Sequence, residues 1–153
     1  MIGELTAPQI EELLQSQLVG RIGCHHNGTT YIVPVSYAYD GAFIYVHTYE
    51  GMKIEFMRHN PDVCFEVDDL RDMGNWQSVI AWGRYEELPQ GAEREQAIRA
   101  LLSRRLPLVS SVTTHLGATW PFPSDGDSRL DGIVFRIALT QKTGRFESSS
   151  HTP

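Results

Sequence analysis

A chain of 153 residues with 41% hydrophobic and 21% charged residues has the size and composition of one soluble globular domain. Its net charge of −6 argues against broad nucleic-acid binding, which needs many Lys and Arg on phosphates, but a small anion needs only one or two cations. No run approaches the ~20 apolar residues of a membrane span, and Met1 to Gly20 lacks the pattern of a secretory signal, so a cytoplasmic protein with no membrane partner is expected.

Thr6-Ala7-Pro8-Gln9 has the form of a helix start, with Thr6 capping, Gln9 reaching back and Pro8 in the first turn. Ile10, Leu13, Leu14 and Leu18 then share a helical stripe, and Gly20 is expected to end the helix. Strand signals follow over Val19 to His25, Thr29 to Tyr39 and Ala42 to Thr48. The turns at Asn27-Gly28 and Asp40-Gly41 make an antiparallel meander. Pro34 has no N–H to give a ladder, so it belongs at an edge, a bulge or an opening. Gly51 to Asn60 reads as a short helix closed by Pro61, Val63 to Val67 as a fourth strand and Trp76 to Leu88 as a long fifth.

Ala92 to Leu106 reads as a second amphipathic helix, with Ala97, Ile98, Leu101 and Leu102 on its apolar side. Leu106 to Leu130 shows no period and is expected to be a functional or intersubunit loop, or a poorly ordered segment. Gly132 to Phe146 is the sixth strand. One domain over residues 1–147 is expected, with a loose tail at 148–153. Six antiparallel strands with peripheral helices imply a mainly β protein closed into a barrel, because closure removes exposed edges. Cys24 and Cys64 lie in apolar, strand-like runs and are expected as buried thiols.

The chemistry-bearing stretch is Tyr45 to Lys53, which runs from a strand end through a turn into a helix start. A helix N-terminus offers unpaired N–H groups and a partial positive charge, which suits a phosphate. Thr48 can add a hydroxyl and Lys53 a full charge; the alternative is a surface junction with a solvated lysine. Cys24-His25-His26 does not read as a metal site, since neighbours on a strand point to opposite faces. No nucleophile elbow, P-loop or dinucleotide-binding glycine turn is present.

His47-Thr48, then Gly51-Met52-Lys53, then Asn60-Pro61-Asp62-Val63 resemble, in order and spacing, the pyridoxamine 5′-phosphate oxidase-like family of FMN-binding split barrels, in its nitroimidazole-reductase-like branch. The resemblance runs from Val19 through Leu88, with a weaker match at Gly144-Arg145. It implies a six-stranded antiparallel split β-barrel of the FMN-binding type, a homodimer with flavin at the interface, and FMN as cofactor, with FAD an alternative. It places Val33, Pro34, Val35 and Ser36 along the isoalloxazine ring, His47 and Thr48 beside the ring and ribityl phosphate, and Lys53 on the phosphate.

Met52 stands where the oxidase itself often has arginine. Trp76-Gln77-Ser78-Val79 matches the segment that reaches flavin across the interface; only one of Gln77 and Ser78 can point there, and Ser78 is favoured. Trp120 is a candidate for stacking on flavin from the partner subunit or for pinning its own loop. Arg145 is either a second phosphate cation or an exposed strand-end residue. The activity implied is an FMN-dependent oxidoreductase acting on a small molecule, with His47 a candidate for proton delivery. A non-catalytic flavin carrier or sensor and a haem-binding split barrel are the alternatives.

Overall fold

A computed structural model describes residues 1–104 and 131–149. The elements run β1 (Ile2–Glu4), α1 (Ala7–Ser16), β2 (Val19–His26), β3 (Thr29–Ser36), β4 (Ala38–Tyr39), β5 (Phe43–Thr48), α2 (Met52–His59), β6 (Asp62–Asp72), β7 (Asn75–Glu87), α3 (Ala92–Leu102) and β8 (Ile133–Glu147). All pair antiparallel in one sheet of order β3-β2-β6-β7-β8-β5-β4, with β1 on β8. The two ends of this sheet, β3 and β4, are not hydrogen-bonded to each other, so the barrel is split along that seam.

Two strands exceed the six expected. β1 is too short to carry a period and exists because β8 offers it an edge, pairing Gly3 with Phe146. The strand expected over Thr29 to Tyr39 breaks at Tyr37, whose amide donates to the Leu18 carbonyl at 3.0 Å. The Tyr37 hydroxyl donates to the Leu14 carbonyl at 2.7 Å, so α1 pulls the chain out of the ladder there. β6 also outruns its expected end at Val67. Asp68 to Asp72 are mostly exposed, but they pair with β7 through a turn in which Asp72 accepts from the Gly74 amide at 2.8 Å. The ladder extends these residues beyond the core that a hydrophobic pattern reports.

The capping box at Thr6 forms: the Thr6 amide donates to Gln9 Oε1 at 2.8 Å and the Gln9 amide to Thr6 Oγ1 at 3.4 Å. α1 stops at Ser16, four residues short of Gly20. Leu18 therefore lies outside the helix and Gly20 is not its stop. Gly20 sits inside β2 because a Cβ there would lie 2.2 Å from the Phe65 ring. α3 closes at Leu102, before the expected Leu106. Ser148 and Ser149, expected in the tail, are held by the Met1 carbonyl at 2.8 Å and by Asn75 Oδ1 at 3.1 Å.

The main core fills the barrel with Ile22, Ile44, Val46, Phe65, Val67, Val79, Phe135 and Ile137, plugged by Ile10, Leu13 and Leu14 of α1 and by Ile54 and Met57 of α2. A second cluster lies outside the barrel, where Ala97, Ile98 and Leu101 of α3 cover Ala38, Tyr45 and Val134. β5 is therefore buried on both faces, which is why Ile44 to Thr48 read as a continuous buried run and not as an alternation. Cys24 points inward and Cys64 outward on neighbouring strands, and both are free thiols. No described helix is long and apolar enough to cross a membrane.

Candidate functional site

The site is built at the seam. β3 is an edge strand, paired to β2 alone, with Arg21 opposite Pro34. An edge is where proline is tolerated, and among the described residues no strand pairs with the other side of β3. Counting the β4–β5 register, in which Ala38 faces Tyr45, back through Tyr37 brings Ser36 and Val35 to the level of His47 and Thr48. Val33 to Ser36 and the end of β5 thus flank the same opening. Pro34 is exposed, Val35 is buried in the core, and Val33 and Ser36 are half-buried.

α2 begins where β5 ends. Its N-cap, Gly51, makes no side-chain cap hydrogen bond, and a Cβ on Gly51 would meet nothing within 4 Å. Among the described residues the first turn of α2 thus lacks the side-chain cap that α1 has. Lys53 stands in this turn, half-buried, and among the described residues no carboxylate lies within ion-pair distance of it. Burial lowers its pKa below the ordinary lysine value, and the nearby Cys24 thiol opposes this only in part. A half-buried ammonium in the first turn of a helix has the charge and the neighbouring donors that an anion needs. Met52, 53% exposed, adds no charge.

His47 and Thr48 are each only 4% exposed. On a strand their side chains point to opposite faces. The His47 Nε2 lies 2.6 Å from the Asp131 carbonyl, and its ring meets Tyr49 edge-on at 5.5 Å. A carbonyl only accepts, so Nε2 carries a proton. Gly132 makes this contact possible: its φ is +91°, and a Cβ would come within 2.5 Å of the Thr48 carbonyl and 3.0 Å of His47 Nε2.

The remaining sequence-derived residues do not join Lys53 within the chain. Gln77 and Ser78 lie in β7 opposite Asp69 and Asp68, and Ser78 also faces Arg145. Lys53 neighbours Cys24, next to Gly23, whose level on β7 is Trp82 by way of Cys64. Four residues of β7 separate the two levels, or about 13 Å at ~3.3 Å per residue. Arg145 is exposed and belongs to the same far end. Ser78 donates to Glu66 Oε1 at 3.3 Å, in an outward cluster where Arg21 bridges Glu66 and Asp68 at 3.4 and 3.0 Å. Trp120 lies outside the described residues.

Three contributors, Arg58, Asp131 and Gly132, were not legible in the pattern. Arg58, in the last turn of α2, grips Glu50 with two hydrogen bonds of 3.1 and 2.9 Å and Glu87 with two of 3.1 and 2.7 Å. It ties the β5–α2 turn to β7 across 29 residues of sequence, a separation that no local spacing reveals. Asp131 and Gly132 hold His47 from 84 residues away.

Fold and seam together define an antiparallel split barrel with the start of a short helix following β5. The chain belongs to the pyridoxamine 5′-phosphate oxidase family, whose match spans residues 6–145. An uncharacterized protein of Rhizobium meliloti is 31% identical over 129 residues, 83% of either chain. Among solved structures, a FAD-binding protein from Mesorhizobium loti is 33% identical, covering 97% of this chain and 99% of its own at a TM-score of 0.73. A FAD-binding protein from Mycobacterium smegmatis is 26% identical, covering 94% and 98%, at 0.65.

Proposed function

We propose that this chain binds a flavin nucleotide in the seam, with its phosphate on the α2 N-terminus, Thr48 and Lys53, and works as a homodimeric flavin-dependent oxidoreductase on a small molecule. One observation carries it: in the first turn of α2, whose N-cap makes no side-chain hydrogen bond, Lys53 is a half-buried cation with no carboxylate partner among the described residues. The unpaired side of Val33 to Ser36 offers backbone groups to the edge of a flat ring. Gln77, Ser78 and Arg145, about 13 Å from the Lys53 level along β7, serve the pocket of a second subunit, which is the support for a dimer.

A bound flavin supplies the electron transfer. The protein's share is to hold the phosphate at Lys53, to exclude water at the buried wall of Thr48 and Val35, and to keep His47 in the tautomer protonated on Nε2. With Met52 in place of a second cation, the site suits a flavin pyrophosphate as well as a phosphate monoester, and both solved relatives above are described as FAD-binding proteins.

The test is the visible spectrum of purified protein, chromatography of the released chromophore, and a sizing column at micromolar concentration. Flavin absorption and a dimer are expected, with chromatography separating FMN from FAD. A colourless protein that takes up neither overturns the proposal, and a Soret band replaces flavin with haem. Anaerobic reduction of the bound flavin by a nicotinamide cofactor then separates an enzyme from a carrier.

A further inference from the structure

The flavin-facing edge strand ends at Ser36, and among the described residues the β-ladder holds that end from one side only, where Ser36 pairs with Val19 of β2. A second hold comes from the end of α3. Arg104, just past the helix end, donates from Nη1 to Ser36 Oγ at 2.6 Å and to the Tyr37 carbonyl at 3.5 Å, and from Nε to the Leu101 carbonyl at 2.8 Å. Its guanidinium lines a cavity of about 370 Å³ between the C-terminal ends of α1 and α3, with Leu14, Leu18 and Tyr37 on the wall. Burial there is deep enough to push its pKa down to about 10. A guanidinium so placed is not a solvated surface charge. Its donors sit on the two residues where the edge strand turns away from the seam.

We propose that Arg104 is a positioning residue for the flavin site: it clamps the Ser36–Tyr37 corner, and through it sets the path of Val33 to Ser36 along the ligand. The proposal rests on the flavin reading above. The clamp is geometrically specific, since Ser36 Oγ and the Leu101 carbonyl are met by two nitrogens of one rigid planar fork, a spacing that the single nitrogen of an ammonium does not reproduce. Tyr37 is held from the other side by the Leu18 and Leu14 carbonyls, so removing Arg104 frees one side of the corner and leaves the core anchor in place.

The experiment compares wild type with Arg104→Met, Ser36→Ala and the double variant. Amide hydrogen exchange of the flavin-free proteins is read over residues 33–38, and flavin affinity and the visible circular dichroism of bound flavin are read by titration. Arg104→Met is expected to raise exchange at the corner and to weaken flavin binding by about 5- to 10-fold, less than the roughly 10- to 150-fold of a charged donor lost from the ligand itself, because Arg104 acts through the strand. It should also change the visible dichroism, because the ring sits against a displaced strand. Ser36→Ala, which leaves the fold intact, should show part of the same loss, and the double variant should bind no more weakly than Arg104→Met alone.

Additive losses, or unchanged exchange and affinity in Arg104→Met, overturn the clamp while wild-type binding still upholds the flavin site. A wild type that binds no flavin overturns both.

Discussion

Replacing Lys53 by methionine separates a binding residue from a stabilising one. Methionine keeps most of the apolar stem and removes the charge. In the flavin-free protein the ammonium is half-buried with no carboxylate partner among the described residues, and burial lowers its pKa. Removing it relieves a desolvation cost, so the melting temperature of flavin-free Lys53→Met is expected to equal or exceed that of wild type. Flavin binding moves the other way. Loss of a charged donor to phosphate costs about 1.5–3 kcal/mol, or roughly 10- to 150-fold in Kd.

The pH dependence carries the same signature with a definite sign. Below its lowered pKa, Lys53 is charged in both folded and unfolded chains. Between that value and the ordinary 10.5, the unfolded chain holds more protons. Stability of the flavin-free wild type therefore rises with pH through this window relative to Lys53→Met. A bound phosphate favours the charged lysine and raises its pKa, so wild-type flavin affinity falls as pH climbs through the free-protein value, and Lys53→Met lacks that slope. Differential scanning fluorimetry and quenching of flavin fluorescence across pH 7 to 10.5 measure both. A variant that melts several degrees lower and binds flavin as tightly as wild type refutes the assignment and makes Lys53 a structural residue.

Other perturbations follow from contacts already described. Gly132→Ala forces a side chain onto a φ of +91° and against the Thr48 carbonyl and His47, so a loss of about 2–4 kcal/mol is expected in urea denaturation; an unshifted midpoint contradicts the His47–Asp131 geometry. Gly20→Ala places a methyl against the Phe65 ring and should cost about 1–3 kcal/mol without changing the flavin spectrum of the folded fraction. Tyr37→Phe removes the buried donor to the Leu14 carbonyl, and about 0.5–1.5 kcal/mol of stability should go with it, read by thermal melting.

Asp40 loses some hydration by burial, but the Tyr45 hydroxyl and the Phe43 and Ala42 amides outweigh this and hold its pKa below 3.8. Its contribution is present above that value and lost as pH falls through the lowered one. The acid-unfolding curve of Asp40→Asn should therefore be flatter in that range, and coincident curves would exclude the effect.

Much of this protein was decided locally. Thr6 and Gln9 make a capping box wherever an apolar stripe follows, and Asn27-Gly28 bends a hairpin because both residues accept positive φ, here +50° and +74°. Pro34 can sit only where a ladder has no need of its N–H, so an edge was legible before any neighbour was known. Gly51 and Lys53 likewise mark the start of the short helix α2, and the half-burial of Lys53 there is what the fold adds.

The rest depends on partners far apart in the chain. At Tyr37 the side chain is taken by α1, whose Leu14 carbonyl accepts from the Tyr37 hydroxyl, and β1 exists because β8 leaves it an edge. Asp68 to Asp72 form strand despite their charge because β7 completes their ladder beyond the core. Arg58 meets Glu87, Asp131 meets His47 and Arg104 meets Ser36 only once the barrel has curled. Local sequence sets which backbone shapes each segment tolerates. Closing the sheet chooses which distant groups share one low-dielectric opening, and there Lys53 becomes a desolvated cation and not merely a surface charge.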